Sequence, residues 1–170
     1  MKREQKLVAI GAGSGVVLMI GALIGLSAIM PSLPVTADTG DRLGFAAKWL
    51  ALAAAPLFLA IIAVGNARFF SEAIDPTAGK ETQAMIVNGR VVDNSLQQYV
   101  LFFAATMALA ASANGTQLGL VSAASVIFVV CRLAFWVGYR IEPVYRAFGF
   151  ASTAYLNIIL FGTAIWLEWR

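Results

Sequence analysis

The chain has 170 residues, of which 60% are hydrophobic and 12% are charged, and its formal net charge is +3. An average soluble domain carries about 25% charged residues, so this composition excludes a soluble globular protein and indicates an integral membrane protein. The sequence contains no histidine, which excludes histidine-based metal sites and triads, and its scattered basic residues give no reason to expect a nucleic-acid partner.

Five apolar runs follow one another along the chain, each near or above the length needed to cross about 30 Å of hydrocarbon. They cover residues 7–30, 44–67, 94–112, 117–139 and 147–167. The sequence therefore predicts an all-α fold, an integral membrane bundle of five transmembrane helices.

The first run follows basic residues, as a signal-peptide core does, but it is far longer than the roughly 7 to 15 residues of such a core. We therefore interpret it as a transmembrane helix. Its small residues are expected to let neighbouring helices approach closely. They are Gly11, Gly15, Gly21 and Gly25.

The segments between the runs differ in length. The short link that begins at Pro31 ends the first helix. The segment from Phe69 to Val92 is the longest, and its proline and glycines predict irregular structure. The tight turn 113–116 and the short link 141–145 make the last three helices successive antiparallel neighbours.

Most basic residues fall on one side of the membrane in this arrangement. They are Lys2, Arg3, Lys6, Arg68, Lys80, Arg90, Arg140 and Arg146. Only Arg42, Lys48 and Arg170 fall on the other side. The positive-inside rule then predicts a cytoplasmic N-terminus and a C-terminus outside.

Polar side chains converge at the cytoplasmic ends of the last three helices. On the third helix they are Arg90, Asn94, Gln97 and Gln98, whose spacings of three and four place them on one face. On the fourth and fifth they are Arg132, Phe135, Tyr139 and Arg146. An arginine at a helix centre costs about 2.5 to 3.5 kcal/mol to insert, so Arg132 must face protein or water. The pattern predicts a cavity for a polar, anionic ligand.

Each of these residues also has a simpler interpretation. Arg90, Arg140 and Arg146 could be topogenic charges that snorkel to the interface. Tyr139 is equally typical of an aromatic belt. The amides of the third helix could be hydrogen-bonding links between helices.

Two motifs carry a resemblance to a known family. Arg90-Val-Val-Asp-Asn94-Ser-Leu-Gln97-Gln98 is similar to R-x-x-x-N-x-x-E-[YQ], and Arg132-Leu-Ala-Phe135-Trp-Val-Gly138-Tyr139, followed by Arg146, is similar to R-x-x-[YF]-x-x-G-Y with an arginine seven residues later. Over residues 45–168 the chain resembles the MAPEG family, the membrane-associated proteins of eicosanoid and glutathione metabolism. It resembles a divergent, bacterial-type member in an inner membrane.

The resemblance implies a four-helix unit over residues 44–170, preceded by an extra transmembrane helix and link over residues 1–43. It implies a homotrimer that binds glutathione between subunits and acts as a transferase or peroxidase on lipophilic small molecules arriving from membrane lipid. Glutathione would contact Arg90, Asn94, Gln97, Arg132 and Tyr139, and Arg146 would stabilise its thiolate.

The chain departs from the family pattern at two of these positions. Gln97 stands where many members have a glutamate, and Phe135 stands where several have a tyrosine. These departures leave open a second hypothesis, in which the protein is a noncatalytic membrane scaffold or ligand-binding subunit.

Overall fold

A computed structural model describes residues 2–170, which form six α-helices joined in part by short 3-10 helices. The α-helices are α1 (Arg3–Ser27), α2 (Thr39–Ala53), α3 (Ala55–Phe69), α4 (Gln83–Ser112), α5 (Gly119–Ile141) and α6 (Ala147–Glu168). No β-strand occurs in this part of the chain. The predicted all-α class is confirmed.

Among the described residues, four helical stretches are long and apolar enough to cross a membrane. They are Arg3–Ser27, Thr39–Phe69, Gly115–Ile141 and Pro143–Glu168. The remaining predicted span, 94–112, lies in α4, which is the longest helix at 30 residues. Its N-terminal half carries polar residues in place of a continuous apolar run. The protein is therefore an integral membrane helical bundle in which one helix combines an apolar half with a polar half.

The second predicted run, 44–67, is broken into α2 and α3 at Ala54. Pro56 lies at the start of α3 and has no N–H to donate to the carbonyl of Leu52, and its ring crowds that carbonyl. The expectation of one continuous helix overlooked this proline.

Helix α4 begins at Gln83, well inside the segment for which irregular structure was expected. The Thr82 side chain caps it by accepting a hydrogen bond from the backbone N–H of Met85 at 3.3 Å. An ion pair between Arg68 and Glu81, 2.6 Å apart, ties the start of α4 to the end of α3. As a consequence, Arg90 lies two turns inside α4, so the helical period places its side chain on the same face as the residues three and four positions later.

Helix α1 packs against α6 through two of its four expected contact glycines. A methyl group at Gly15 would lie 2.6 Å from the carbonyl oxygen of Phe148, and one at Gly11 would lie 3.6 Å from the Phe148 nitrogen. Gly21 and Gly25 have no such neighbour within 4 Å. These two glycines allow close approach in the first half of α1, beside the start of α6. The end of α1 lies close to α5 instead, where a methyl group at Gly119 would clash with the carbonyl oxygen of Ser27.

The opposite end of the bundle is closed by Arg42 of α2. Its guanidinium donates hydrogen bonds to the carbonyl oxygens of Ala110 at 3.1 Å and Ala111 at 3.0 Å, which are unpaired groups at the end of α4. This arginine therefore joins α2 to the end of α4.

Candidate functional site

A cavity of about 380 Å³ opens at the end of the bundle where α4, the last turns of α5 and the start of α6 meet. Cavities that hold small molecules in proteins are typically about 300 to 1,000 Å³. The cavity is lined by Arg90, Asp93, Asn94, Gln97, Phe135, Tyr139, Arg146 and Phe150. Five of the six residues predicted as a site are therefore brought together; the sixth, Arg132, does not line the cavity.

One wall of the cavity is a stripe along α4. Arg90, Asp93, Asn94 and Gln97 follow one another at intervals of three, one and three residues. Residues three and four apart on a helix have Cβ atoms about 5 to 6 Å apart on the same face, so the four side chains form a continuous polar surface.

The facing wall is aromatic and carries the second arginine. The rings of Phe135 and Tyr139 pack edge to face with their centroids 5.8 Å apart. The Arg146 guanidinium lies 4.7 Å from the centroid of the Tyr139 ring, a cation–π contact that holds the arginine at the cavity wall.

Gly138 allows this second wall to form. A methyl group at Gly138 would lie 2.8 Å from the carbonyl oxygen of Tyr145, so a larger residue would push the 3-10 helix Pro143–Arg146 away from α5. The close return of the chain after α5 places Arg146 against the ring of Tyr139.

Arg132 lies beneath the cavity and is only 1% exposed. Its guanidinium donates hydrogen bonds to the Asn94 Oδ1 at 3.0 Å, the Ser95 Oγ at 2.9 Å and the Thr153 Oγ1 at 3.2 Å. The face of the Phe135 ring covers it, with the guanidinium carbon 4.1 Å from the centroid. We call Arg132, Asn94, Ser95 and Thr153 the arginine knot; it joins α4, α5 and α6.

The knot also orients a residue of the cavity wall. Because the Oδ1 of Asn94 accepts a hydrogen bond from Arg132, the amide nitrogen of Asn94 is the atom left to face the cavity. Arg132 thus acts on the cavity through Asn94 and Phe135.

Two further side chains near the cavity, one of them the predicted polar residue Gln98, take structural positions. Gln98, expected on the same face as Gln97, is buried and its Oε1 accepts a hydrogen bond from the Asn157 side chain at 2.9 Å. Trp136 donates its indole N–H to the Oδ1 of Asn88 at 2.9 Å, which fastens α5 to α4. Asn88 and Asn157 were not singled out from the sequence.

Sequence reasoning also missed two residues that line the cavity, Asp93 and Phe150. Both carry a signal in their spacing, because Asp93 follows Arg90 by three residues and Phe150 follows Arg146 by four. Asp93 is the one acidic side chain of the cavity lining.

The charged groups of the cavity are not paired with one another. Across residues 2–170, the salt bridges within 4.0 Å are Arg68–Glu81 and Lys80–Glu72, both outside the cavity. Arg90, Asp93 and Arg146 are exposed and free of such pairs in the described chain, so their charges are available to a ligand.

Comparison with known proteins identifies the family of this chain. No curated protein and no solved structure matches the chain significantly. The model of the MAPEG family matches residues 46–166, which is more than two thirds of the chain and contains the whole cavity lining. Helix α1 lies before the matched region. The match confirms the resemblance drawn from the two motifs, and the chain belongs to the MAPEG family.

Proposed function

We propose that this protein binds glutathione in the cavity and uses its thiolate, stabilised by Arg146, to attack lipophilic electrophiles. Membership of the MAPEG family supports a membrane glutathione transferase-like or related function in general. The observation that carries the specific proposal is the pair of exposed, unpaired guanidinium groups, Arg90 and Arg146, on facing walls of one cavity.

The residues of the cavity fit glutathione, which carries two carboxylates, one ammonium and two peptide groups. The Arg90 guanidinium is planar and suited to bidentate binding of a carboxylate. Asn94 and Gln97 offer amide groups to the peptide bonds, and the Tyr139 hydroxyl adds a donor on the facing wall.

Arg146 is assigned to the thiol because it lies on the wall opposite Arg90. A positive charge close to a thiol lowers the thiol pKa from about 8.5, and the thiolate is the nucleophile. The thiol proton passes to solvent, the sulfur electron pair forms the new bond to an electrophilic carbon, and the leaving group departs with its bonding electrons. The arginine supplies electrostatic stabilisation throughout.

An apolar groove supports the choice of a lipophilic electrophile. It has a volume of about 410 Å³ and runs along α4 and α6, lined by Gln98, Leu101, Ala154, Asn157, Ile158 and Phe161. It begins one residue after Gln97 on α4 and one turn after Phe150 on α6, so it adjoins the cavity on the side toward the membrane centre. A molecule dissolved in lipid has a direct path to it.

The proposal includes a homotrimer in a bacterial inner membrane with the N-terminus in the cytoplasm. Support for the trimer is the exposed position of the α4 stripe, which leaves Asp93 and Gln97 open to a neighbouring copy. Support for the orientation is the excess of basic residues on the side of the cavity. This side also gives the cavity access to cytoplasmic glutathione.

The test is turnover of a chlorinated aromatic compound by the purified full chain with glutathione, together with the ultraviolet absorbance of the bound thiolate. We expect Arg146→Ala to lower kcat about a hundredfold, in the range of lost transition-state donors, and to abolish the thiolate signal. Arg140→Ala is the matched control, because Arg140 is exposed at the same helix end but does not line the cavity.

A wild-type protein that binds glutathione but is no more active than Arg146→Ala would contradict catalysis. That result would leave the noncatalytic ligand-binding subunit as the function. A wild-type protein that binds no glutathione would contradict the ligand assignment itself.

A further inference from the structure

We propose that Asp93 binds the ammonium group of the ligand and makes the site selective for thiols that end in an α-amino acid. This inference rests on the proposed function and identifies a specificity residue for it. Asp93 is the one carboxylate among the side chains that line the cavity. It is exposed and lies between two other members of the α4 stripe, Arg90 and Gln97.

The carboxylate of Asp93 lacks a partner in the folded chain. It takes part in no side-chain hydrogen bond and in neither of the salt bridges found within residues 2–170. Arg90, three residues earlier on the same face, is more than 4.0 Å away by nitrogen–oxygen distance. A ligand that covers Asp93 removes it from water, which is costly unless the ligand brings a positive charge or a donor.

The order of charges along α4 matches an α-amino acid group. Arg90 and Asp93 place a cation and an anion about 5 to 6 Å apart at Cβ on one face of the helix. An α-amino acid carries its carboxylate and ammonium on the same carbon, so it presents an anion and a cation side by side. With its carboxylate on Arg90 and its ammonium on Asp93, both charges are paired at once.

The same arrangement explains why Gln97 can be neutral. Gln97 lies four residues after Asp93, one helical turn further along the stripe. A carboxylate at 93 supplies the negative charge for the ammonium, and the amide at 97 is left to bind an uncharged part of the ligand. The three charges of the cavity lining then each have a partner: Arg90 binds the carboxylate of the α-amino acid group, Asp93 binds its ammonium, and Arg146 stabilises the thiolate.

The inference is tested by a cycle that removes each partner in turn. Binding of glutathione, and of an analogue with hydrogen in place of the ammonium, is measured by calorimetry on the purified full chain, wild type and Asp93→Asn. We expect Asp93→Asn to weaken glutathione binding about tenfold and analogue binding less than twofold, because the asparagine loses only the charge pairing.

Two control variants keep the result specific. Asp93→Glu retains the charge and is expected to bind glutathione within about threefold of wild type. Glu142→Gln removes an exposed acid at the same end of the bundle that does not line the cavity, and it is expected to bind both ligands as wild type does. Thermal melting of each variant verifies that it folds.

Equal losses of both ligands in Asp93→Asn would overturn the ammonium assignment and leave the proposed function intact. A wild-type protein that binds the analogue as tightly as glutathione would also overturn it. A wild-type protein that binds neither compound would overturn the proposed function along with this inference.

Discussion

Arg132 and Arg146 belong to one sequence motif, and the structure places their charges in contrasting regions. In the arginine knot, Arg132 is 1% exposed and donates to three side-chain oxygens of the protein. In the cavity above it, Arg146 is exposed, and its guanidinium contacts the ring of Tyr139. The contrast teaches that burial and the supply of internal acceptors decide whether an arginine joins helices or serves a ligand.

The contrast predicts that Arg132→Ala damages the fold. The change leaves an empty volume between three helices and removes the donor from Asn94, Ser95 and Thr153. A cavity and unpaired buried polar groups together cost about 3 kcal/mol. We expect the free energy of unfolding in detergent to fall by about that amount, measured by denaturant titration followed by circular dichroism.

Leu133→Ala is the control for this change, because the neighbouring Leu133 is exposed and lies outside the knot. It should alter the free energy of unfolding by less than about 0.5 kcal/mol. An Arg132→Ala protein as stable as wild type would show that the knot does not join the helices.

A second prediction concerns the support that α1 gives to the cavity wall. A side chain at Gly15 would meet the backbone of Phe148 and the Ser152 hydroxyl, both at 2.6 Å from its first carbon. We expect Gly15→Leu to lower the free energy of unfolding by about 2 kcal/mol through overpacking. Because Phe148 lies two residues after Arg146, glutathione binding measured by calorimetry should weaken as well.

The matched control is Gly25→Leu on the same helix, where no such neighbour lies within 4 Å. It should leave stability and glutathione binding close to wild type. Equal effects at both glycines would contradict a specific role for the close contact between Gly15 and the start of α6.

A third prediction tests the cavity side of the comparison. Arg90 is exposed and makes no salt bridge in the described chain, so Arg90→Ala should change the free energy of unfolding by less than about 0.5 kcal/mol. Loss of a carboxylate partner should weaken glutathione binding about tenfold, measured by calorimetry. A loss of stability like that of Arg132→Ala would contradict the distinction between the two regions.

The membrane fold follows from local properties of the sequence. The long apolar runs, the tight turn at 113–116 and the short link at 141–145 set the helices and their neighbours, and the structure agrees with them. The break caused by Pro56 and the early start of α4 at Gln83 were not anticipated. Both depend on single residues, a proline and a capping threonine, that hydropathy does not register.

The direction of side chains was harder to predict, and Gln97 and Gln98 show why. They are adjacent in sequence, yet Gln97 lines the cavity and Gln98 is buried against Asn157. In a soluble helix an apolar stripe marks the inside, but in lipid both faces are apolar: the exposed Leu101 and the buried Phe102 are alike in hydropathy. The sequence therefore predicts which level of the membrane is polar, but not which of two neighbouring polar residues faces inward.

Phe135 lies on the boundary between the two regions, which makes it the finest test of their separation. One face of its ring covers the guanidinium of Arg132 at 4.1 Å, and the residue also lines the cavity beside Tyr139. Phe135→Leu removes the cation–π contact and the aromatic pair, so we expect the free energy of unfolding to fall by about 1 kcal/mol. Phe150→Leu changes the cavity wall where the structure records no arginine against the ring, and it should cost less than about 0.5 kcal/mol in the same denaturant titration. If both substitutions lower the free energy of unfolding by the same amount, the ring of Phe135 only lines the cavity. The arginine knot then does not depend on the cavity lining above it.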